Sequence, residues 1–185
     1  MQMKTTVALA LLLMAAACKR SETPATRTSA TPAQTQTTSA AGPTDVGSVM
    51  PEYGALNLDG SKFDLAAKRD KVVLINVWAT WCGPCRYEIP ELQALHDHYA
   101  ARGVEVVGVS VDESGAQSVK EFIAEQKKMT YPIVLDAEGK IANILQTSVL
   151  PTSIVVDREG RIVWKKYGAI MPGDEELKKA IETAL

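Results

Sequence analysis

Two cysteines separated by Gly-Pro, in the run Trp81-Cys82-Gly83-Pro84-Cys85, are the residues of this 185-residue chain best placed to do chemistry. Thiols at this spacing can close into a disulfide and open again, so the pair can carry two electrons. The reactive species is the thiolate, and it needs a setting that stabilises negative charge. A helix N-terminus supplies one, because its first N–H groups lack partners within the helix. The sequence builds that setting. Val72-Val73-Leu74-Ile75-Asn76-Val77-Trp78 is almost wholly apolar, as expected of a strand covered on both faces, and helical periodicity then runs from Pro84 to Ala101. Pro84 fits so early in a helix because its missing N–H would be unpaired anyway. Cys82, at the helix mouth and nearer solvent, is expected to have the lowered pKa and attack disulfides. Cys85, one turn later and more buried, is expected to resolve the mixed disulfide.

Two plainer roles for the pair fit less well. A purely structural disulfide across so tight a loop gains little from loop closure. A metal site would need two further ligands, and His96 and His98, two apart on a helix, point to different faces. Both histidines read as ordinary helix residues, and neither a metal nor a cofactor is expected.

At about 100° per residue, Ile89, Leu92, Leu95 and Tyr99 form the core-facing stripe of this helix. Glu88 falls inside the stripe, about 60° around the axis from Cys85. A carboxylate pointing inward beside a thiol pair is expected to have a raised pKa and to move protons near neutrality. The alternative is a Glu88 that bends out to solvent, with Pro90 kinking the helix and rotating its register.

The elements that must hold these residues alternate. Val104 to Val111, Ile154 to Val156 and Arg161 to Trp164 read as further strands, the last two joined by the turn Asp157-Arg158-Glu159-Gly160. Asn57-Leu58-Asp59-Gly60 marks an earlier hairpin. Helical stretches run over Ala116–Lys128, Gly139–Gln146 and Gly173–Ala184, and Asp136-Ala137-Glu138-Gly139 reads as a turn and not a metal loop. Strand–helix alternation ending in a hairpin and a helix predicts an α/β fold with a mixed central sheet flanked by helices. Trp78 is expected in the core, Trp81 at the lip of the site and Trp164 in hairpin packing.

The third cysteine has a different setting. Lys4 and the eleven uncharged, almost wholly apolar residues Val7 to Ala17 match an export signal, and the run is too short to span a membrane. Ala15-Ala16-Ala17 offers small residues directly before Cys18. This arrangement resembles a bacterial lipoprotein signal, in which the cysteine is acylated, although that pattern prefers Leu where Ala15 stands. An ordinary secretory signal with an incidental Cys18 is the other reading. Residues 18–48, rich in Thr, Ser, Ala and Pro, are expected to form a disordered tether reaching roughly 30 Å on average. Residues 49–185 then form one domain. It carries sixteen basic against twenty acidic side chains, which excludes a large basic footprint for nucleic acid. Aromatic residues make up only 5% of the chain, which argues against a base-stacking or sugar-binding platform.

Residues 51–185 resemble the thioredoxin-fold disulfide oxidoreductases of the TlpA/ResA type. The resemblance rests on Asn76 to Pro90, which includes Trp-Cys-Gly-Pro-Cys and Glu88, and on Leu150-Pro151-Thr152-Ser153-Ile154-Val155-Val156-Asp157 with the following Gly160. It implies a thioredoxin-like fold with an N-terminal β-hairpin extension, and a cis bond at Pro151 facing the cysteines. It also implies a role for Glu88 in setting cysteine reactivity. Asn76 stands where thioredoxin itself has a buried Asp, so that proton acceptor is lost and Glu88 is left as the acid/base. The backbone at Leu150 could pair with an extended substrate segment, with Trp81 beside it.

By the same resemblance, the chain is expected to be a lipid-tethered, periplasmic or otherwise extracytoplasmic monomer that reduces protein disulfides. A membrane thiol-electron transporter would be its reductant, and apocytochrome c or other envelope proteins its clients. Two other functions compete. A peroxidase of the peroxiredoxin type would need Thr or Ser three residues before the reactive cysteine, where Ala79 stands with Thr80 one place late. A copper chaperone could use two thiolates, but generally adds a distant His, and none follows His98.

Overall fold

The structure, a computed structural model, describes residues 44–126 and 129–185. Its centre is β3 (Val72–Trp78), the apolar run before the cysteine pair, and all seven of its residues are buried. Such a strand needs neighbours on both edges and cover on both faces, and it has them. β4 (Val104–Ser110) runs parallel along one edge, from Val72 opposite Val104 to Trp78 opposite Ser110, and β6 (Thr152–Val156) runs antiparallel along the other. β5 (Ile133–Leu135) extends the sheet beyond β4, and β7 (Ile162–Tyr167) beyond β6. The early hairpin, β1 (Gly54–Asn57) and β2 (Lys62–Asp64), joins the far side of β5. The order across the sheet is β2-β1-β5-β4-β3-β6-β7, the thioredoxin-like α/β arrangement with its N-terminal hairpin extension.

Alternation along β3 divides the core. Val72, Leu74 and Trp78 face a cluster with Ile89, Leu92 and Tyr99 of α1 (Gly83–Tyr99), Val119 and Phe122 of α2 (Ala116–Gln126), and Leu177 and Ile181 of α4 (Glu175–Ala184). Val73, Ile75 and Val77 face the opposite cluster, with Phe63 of the hairpin and Ile141 of α3 (Lys140–Ile144). Trp78 and Trp164 are both buried, as expected.

Differences from the expected boundaries have local causes. Gly173, at φ +77°, lies outside helical geometry, so α4 starts two residues later, where the Asp174 carboxylate accepts the N–H of Leu177. β7 continues past Trp164 through two lysines whose polarity hides their pairing with Ile154 and Ser153. β5 is only three residues long, too short to show a period. Residues 44–48, assigned by composition to the tether, are part of the packed chain. The N–H of Gly47 donates to Ile162 O, Ile162 N–H donates to Ser48 O, and Thr44 is buried. Residues 1–43, with the export signal, Cys18 and most of the expected tether, lie outside the described residues.

Gly108, in the middle of β4, is a point of close approach. A Cβ there would lie 2.9 Å from Ile133 Cδ1, 3.0 Å from the Trp78 indole nitrogen and 3.2 Å from the Tyr131 ring. The indole cannot fold away as an aliphatic tip can. Gly108→Ala is therefore expected to cost about 1–3 kcal/mol through overpacking, read as a lower urea midpoint. An unchanged midpoint would show that the space behind Trp78 is looser than these distances indicate.

Candidate active site

After β3 the chain turns sharply through Ala79–Cys82, closed by Cys82 N–H donating to Ala79 O at 3.1 Å. Cys82 is the N-cap residue of α1, with extended backbone (φ −82°, ψ 108°), and its Sγ accepts the N–H of Cys85 at 3.3 Å. The sulfur thus sits where the unpaired donors of the first helical turn point, as the placement of the pair predicts. Cys82 and Cys85 are joined in a disulfide with Cα atoms 5.3 Å apart. Cys82 is 6% exposed and Cys85 1%, so a partner approaching from solvent meets Cys82 first. Trp81 stands beside them at 70% exposure.

Glu88 lies one turn along α1 from Cys85, on the neighbouring position of the same face. It is 1% exposed, so it does not bend out, and α1 runs through Pro90 with the expected stripe intact. Its Oε1 accepts from Asn76 Nδ2 at 2.7 Å, and its Oε2 accepts the backbone N–H of Ile170, also at 2.7 Å. Asn76 Nδ2 donates in addition to Ser153 Oγ at 2.9 Å, across the β3–β6 pair. Burial raises the Glu88 pKa to about 7. The Ile170 N–H, the Asn76 amide and the positive charge of Lys166 each oppose that rise without cancelling it.

Leu150–Pro151 is a cis peptide at the entrance to β6. Thr152 pairs with Val77, so Pro151 lies at the end of the sheet from which the Ala79–Cys82 turn departs. Gly168 N–H donates to Pro151 O at 2.8 Å, which joins the β7–α4 connection to this bond, and Leu150 is partly buried against the cluster containing both cysteines. The fold thus gathers Trp81, Cys82, Cys85, Glu88, Leu150 and Pro151 at one sheet end. His96 and His98 lie near the other end of α1. Cys18 is outside the described residues.

Sequence reasoning missed Ser153 and Ile170. Ser153 leaves a trace, a hydroxyl residue beside Thr152 at the start of β6 and opposite Asn76, the polar residue of β3. Ile170 contributes a backbone N–H, for which no side-chain pattern exists.

A disulfide opening the helix after the central strand, in a sheet of this order, defines a thioredoxin-like thiol-disulfide exchange protein. A profile of the AhpC/TSA family matches residues 46–165. The chain is 32% identical over 137 residues to the thiol-disulfide oxidoreductase ResA of Bacillus cereus, covering 74% of this chain and 75% of that protein. It is 34% identical over 138 residues to ResA of Geobacillus thermodenitrificans, covering 75% and 77% respectively. Among solved structures, the thioredoxin domain of a thiol-disulfide oxidoreductase from Bacteroides vulgatus superposes with a TM-score of 0.66 at 27% identity, over 76% of this chain and 99% of that one. A secreted thiol-disulfide isomerase from Corynebacterium glutamicum gives 0.65 at 27% identity, over 73% and 84%. The chain belongs to the AhpC/TSA family and, within it, is a thiol-disulfide oxidoreductase of the ResA kind.

Glu88 ties pH to stability with a definite sign. Its pKa is higher folded, about 7, than the ordinary 4.5 of an unfolded glutamate. Below about pH 4 both states are protonated and the group is neutral to stability. Between about 4.5 and 7 the unfolded chain ionises first, and stability falls. The wild type is thus expected to lose up to about 3 kcal/mol relative to Glu88→Gln across that window, and nothing further above it. Urea unfolding of both proteins at pH 4, 5.5, 7 and 8 reads this difference, and parallel curves would contradict it.

Proposed function

We propose that this chain is an exported, lipid-tethered enzyme that reduces disulfides in proteins outside the cytoplasm. The observation that carries the reading is the Cys82–Cys85 disulfide at the first turn of α1, with the buried carboxyl of Glu88 one turn further on. In the reduced enzyme, the Cys82 thiolate attacks one sulfur of a client disulfide, forming a mixed disulfide and releasing a client thiolate. Glu88 takes the proton of Cys85, whose thiolate attacks Cys82 Sγ. The second client thiolate leaves, and the Cys82–Cys85 disulfide remains. A carboxyl with a pKa of about 7 can accept that proton and return it near neutrality.

The surroundings suit a protein client. Trp81 offers an exposed aromatic surface, the backbone at Leu150 would pair with an extended client segment, and Pro151 brings no N–H toward the sulfurs. Ala79, buried at the start of the turn, stands where a peroxidase would need a hydroxyl, so disulfides are the better substrate.

Residues 1–17 would direct export, Cys18 would carry the lipid, and residues from 18 to the packed segment beginning at Thr44 would form the tether. Among the described residues no helix is long and apolar enough to cross a membrane. A membrane thiol-electron transporter would return two electrons to the oxidised pair. Clients would be envelope proteins, with apocytochrome c in cytochrome c maturation as the leading candidate. The names of the ResA relatives support thiol-disulfide exchange, and the secreted character of the Corynebacterium glutamicum isomerase supports export.

In the producing cell, a Cys85→Ser variant is expected to accumulate mixed disulfides through Cys82, recovered with membranes and identified by mass spectrometry. Adding Cys18→Ser should move the same adducts to the soluble fraction. Capture by Cys82→Ser instead of Cys85→Ser would reverse the two roles, and soluble adducts with Cys18 intact would remove the anchor.

A further inference from the structure

The turn that delivers Cys82 to α1, Ala79-Thr80-Trp81, is pinned from the neighbouring strand. β3 and β4 run parallel to the same sheet end, and Val111 N–H extends their ladder to Trp78 O at 3.0 Å. One residue further, Asp112 directs a carboxylate that is only 3% exposed at the turn. Its Oδ1 and Oδ2 accept the N–H of Thr80 at 3.2 and 3.0 Å, and Oδ1 accepts the Thr80 hydroxyl at 2.6 Å. Ser110 Oγ donates to Oδ2 at 2.7 Å and accepts the N–H of Asp112 at 3.2 Å, which orients the carboxylate. A buried charge met by this many donors is costly to disturb, and it grips the residue two before the nucleophile.

We propose that Asp112, acting through Thr80, is a positioning residue that holds Cys82 within reach of Cys85 and so makes the enzyme more reducing. The inference rests on the reading of Cys82–Cys85 as the working redox pair. The equilibrium concerned is enzyme disulfide plus two glutathione thiols giving enzyme dithiol plus glutathione disulfide. Closing the pair brings two thiols of one chain together, so it is favoured by whatever raises the effective concentration of one thiol at the other. A pinned turn restricts where Cys82 can go once the disulfide opens. Release of the pin adds conformations to the dithiol state and tips the balance toward it. No contact between Asp112 and either sulfur is required.

The test uses the full-length chain equilibrated in glutathione buffers, with the state of the pair read by alkylation of the peptide carrying Cys82 and Cys85. Thr80→Val removes the hydroxyl at nearly constant size, Thr80→Ser keeps it, and Asp112→Asn keeps the side-chain volume. Thr80→Val and Asp112→Asn are each expected to weaken disulfide formation about tenfold, a shift of about 30 mV toward a more oxidising couple. Thr80→Ser should match the wild type. An unmoved potential in Thr80→Val, a shift toward a more reducing couple, or an equal shift in Thr80→Ser would overturn the proposal, even if melting temperatures fall. A wild type that fails to equilibrate with glutathione from either direction would overturn the reading of the pair itself.

Discussion

A carboxylate taken out of water loses several kcal/mol of solvation unless donors meet its oxygens, and even then it leans toward its protonated form. Glu88 is held in that condition, and much of the site follows from how the fold meets it. One oxygen is satisfied by Asn76 from the central strand, the other by the backbone of Ile170 from the connection into α4. Two donors keep the group from being an orphan. They do not offset burial, so the carboxyl titrates at about 7 and not in the acid range. One turn away is Cys85, the proposed resolving thiol, which in that role must lose a proton for a mixed disulfide to resolve.

The sheet converts this local condition into a working arrangement. Parallel β3 and β4 deliver their C-terminal ends to one edge, where Trp78 leads into the turn and α1. Antiparallel β6 brings Leu150–Pro151 to that same edge, and β7 returns to place Ile170 over Glu88. Residues from 76 to 170 converge because strands on both sides of β3 reach the same boundary. The N–H groups at the start of α1 then face Cys82, while Glu88 lies on the buried side of the helix. The proposed nucleophile, Cys82, and the proposed proton acceptor, Glu88, are six residues apart in sequence and differ in their access to solvent.

Much of this was legible in residue types and spacing. Two thiols at the start of a helical period, after an apolar strand, marked the site. Helical geometry alone put Glu88 on the inward face, because its angular position is set by Ile89, Leu92 and Leu95. Partners far away in sequence were harder to find. Ile170 contributes only a backbone N–H, 82 residues from Glu88, and its direction depends on how the β7–α4 connection folds. Asp112 reads as a polar residue after a strand until the parallel register places it beside Thr80. β5 is too short to carry a period, and residues 44–48 have a tether's composition yet bind the edge of β7 through backbone hydrogen bonds. Side-chain patterns report faces; they do not report where backbone donors end up.

The central claim is that a buried Glu88 carboxyl titrates near neutrality beside the pair. It is tested most directly by following the Glu88 side-chain carboxyl carbon by NMR as a function of pH in the oxidised, full-length chain. Cys82 and Cys85 do not titrate in that state, so the curve belongs to the carboxyl and its neighbours. A midpoint near pH 7 is the predicted result. A midpoint near 4.5, the ordinary value for a glutamate, would contradict it and remove Glu88 as the proton acceptor of Cys85.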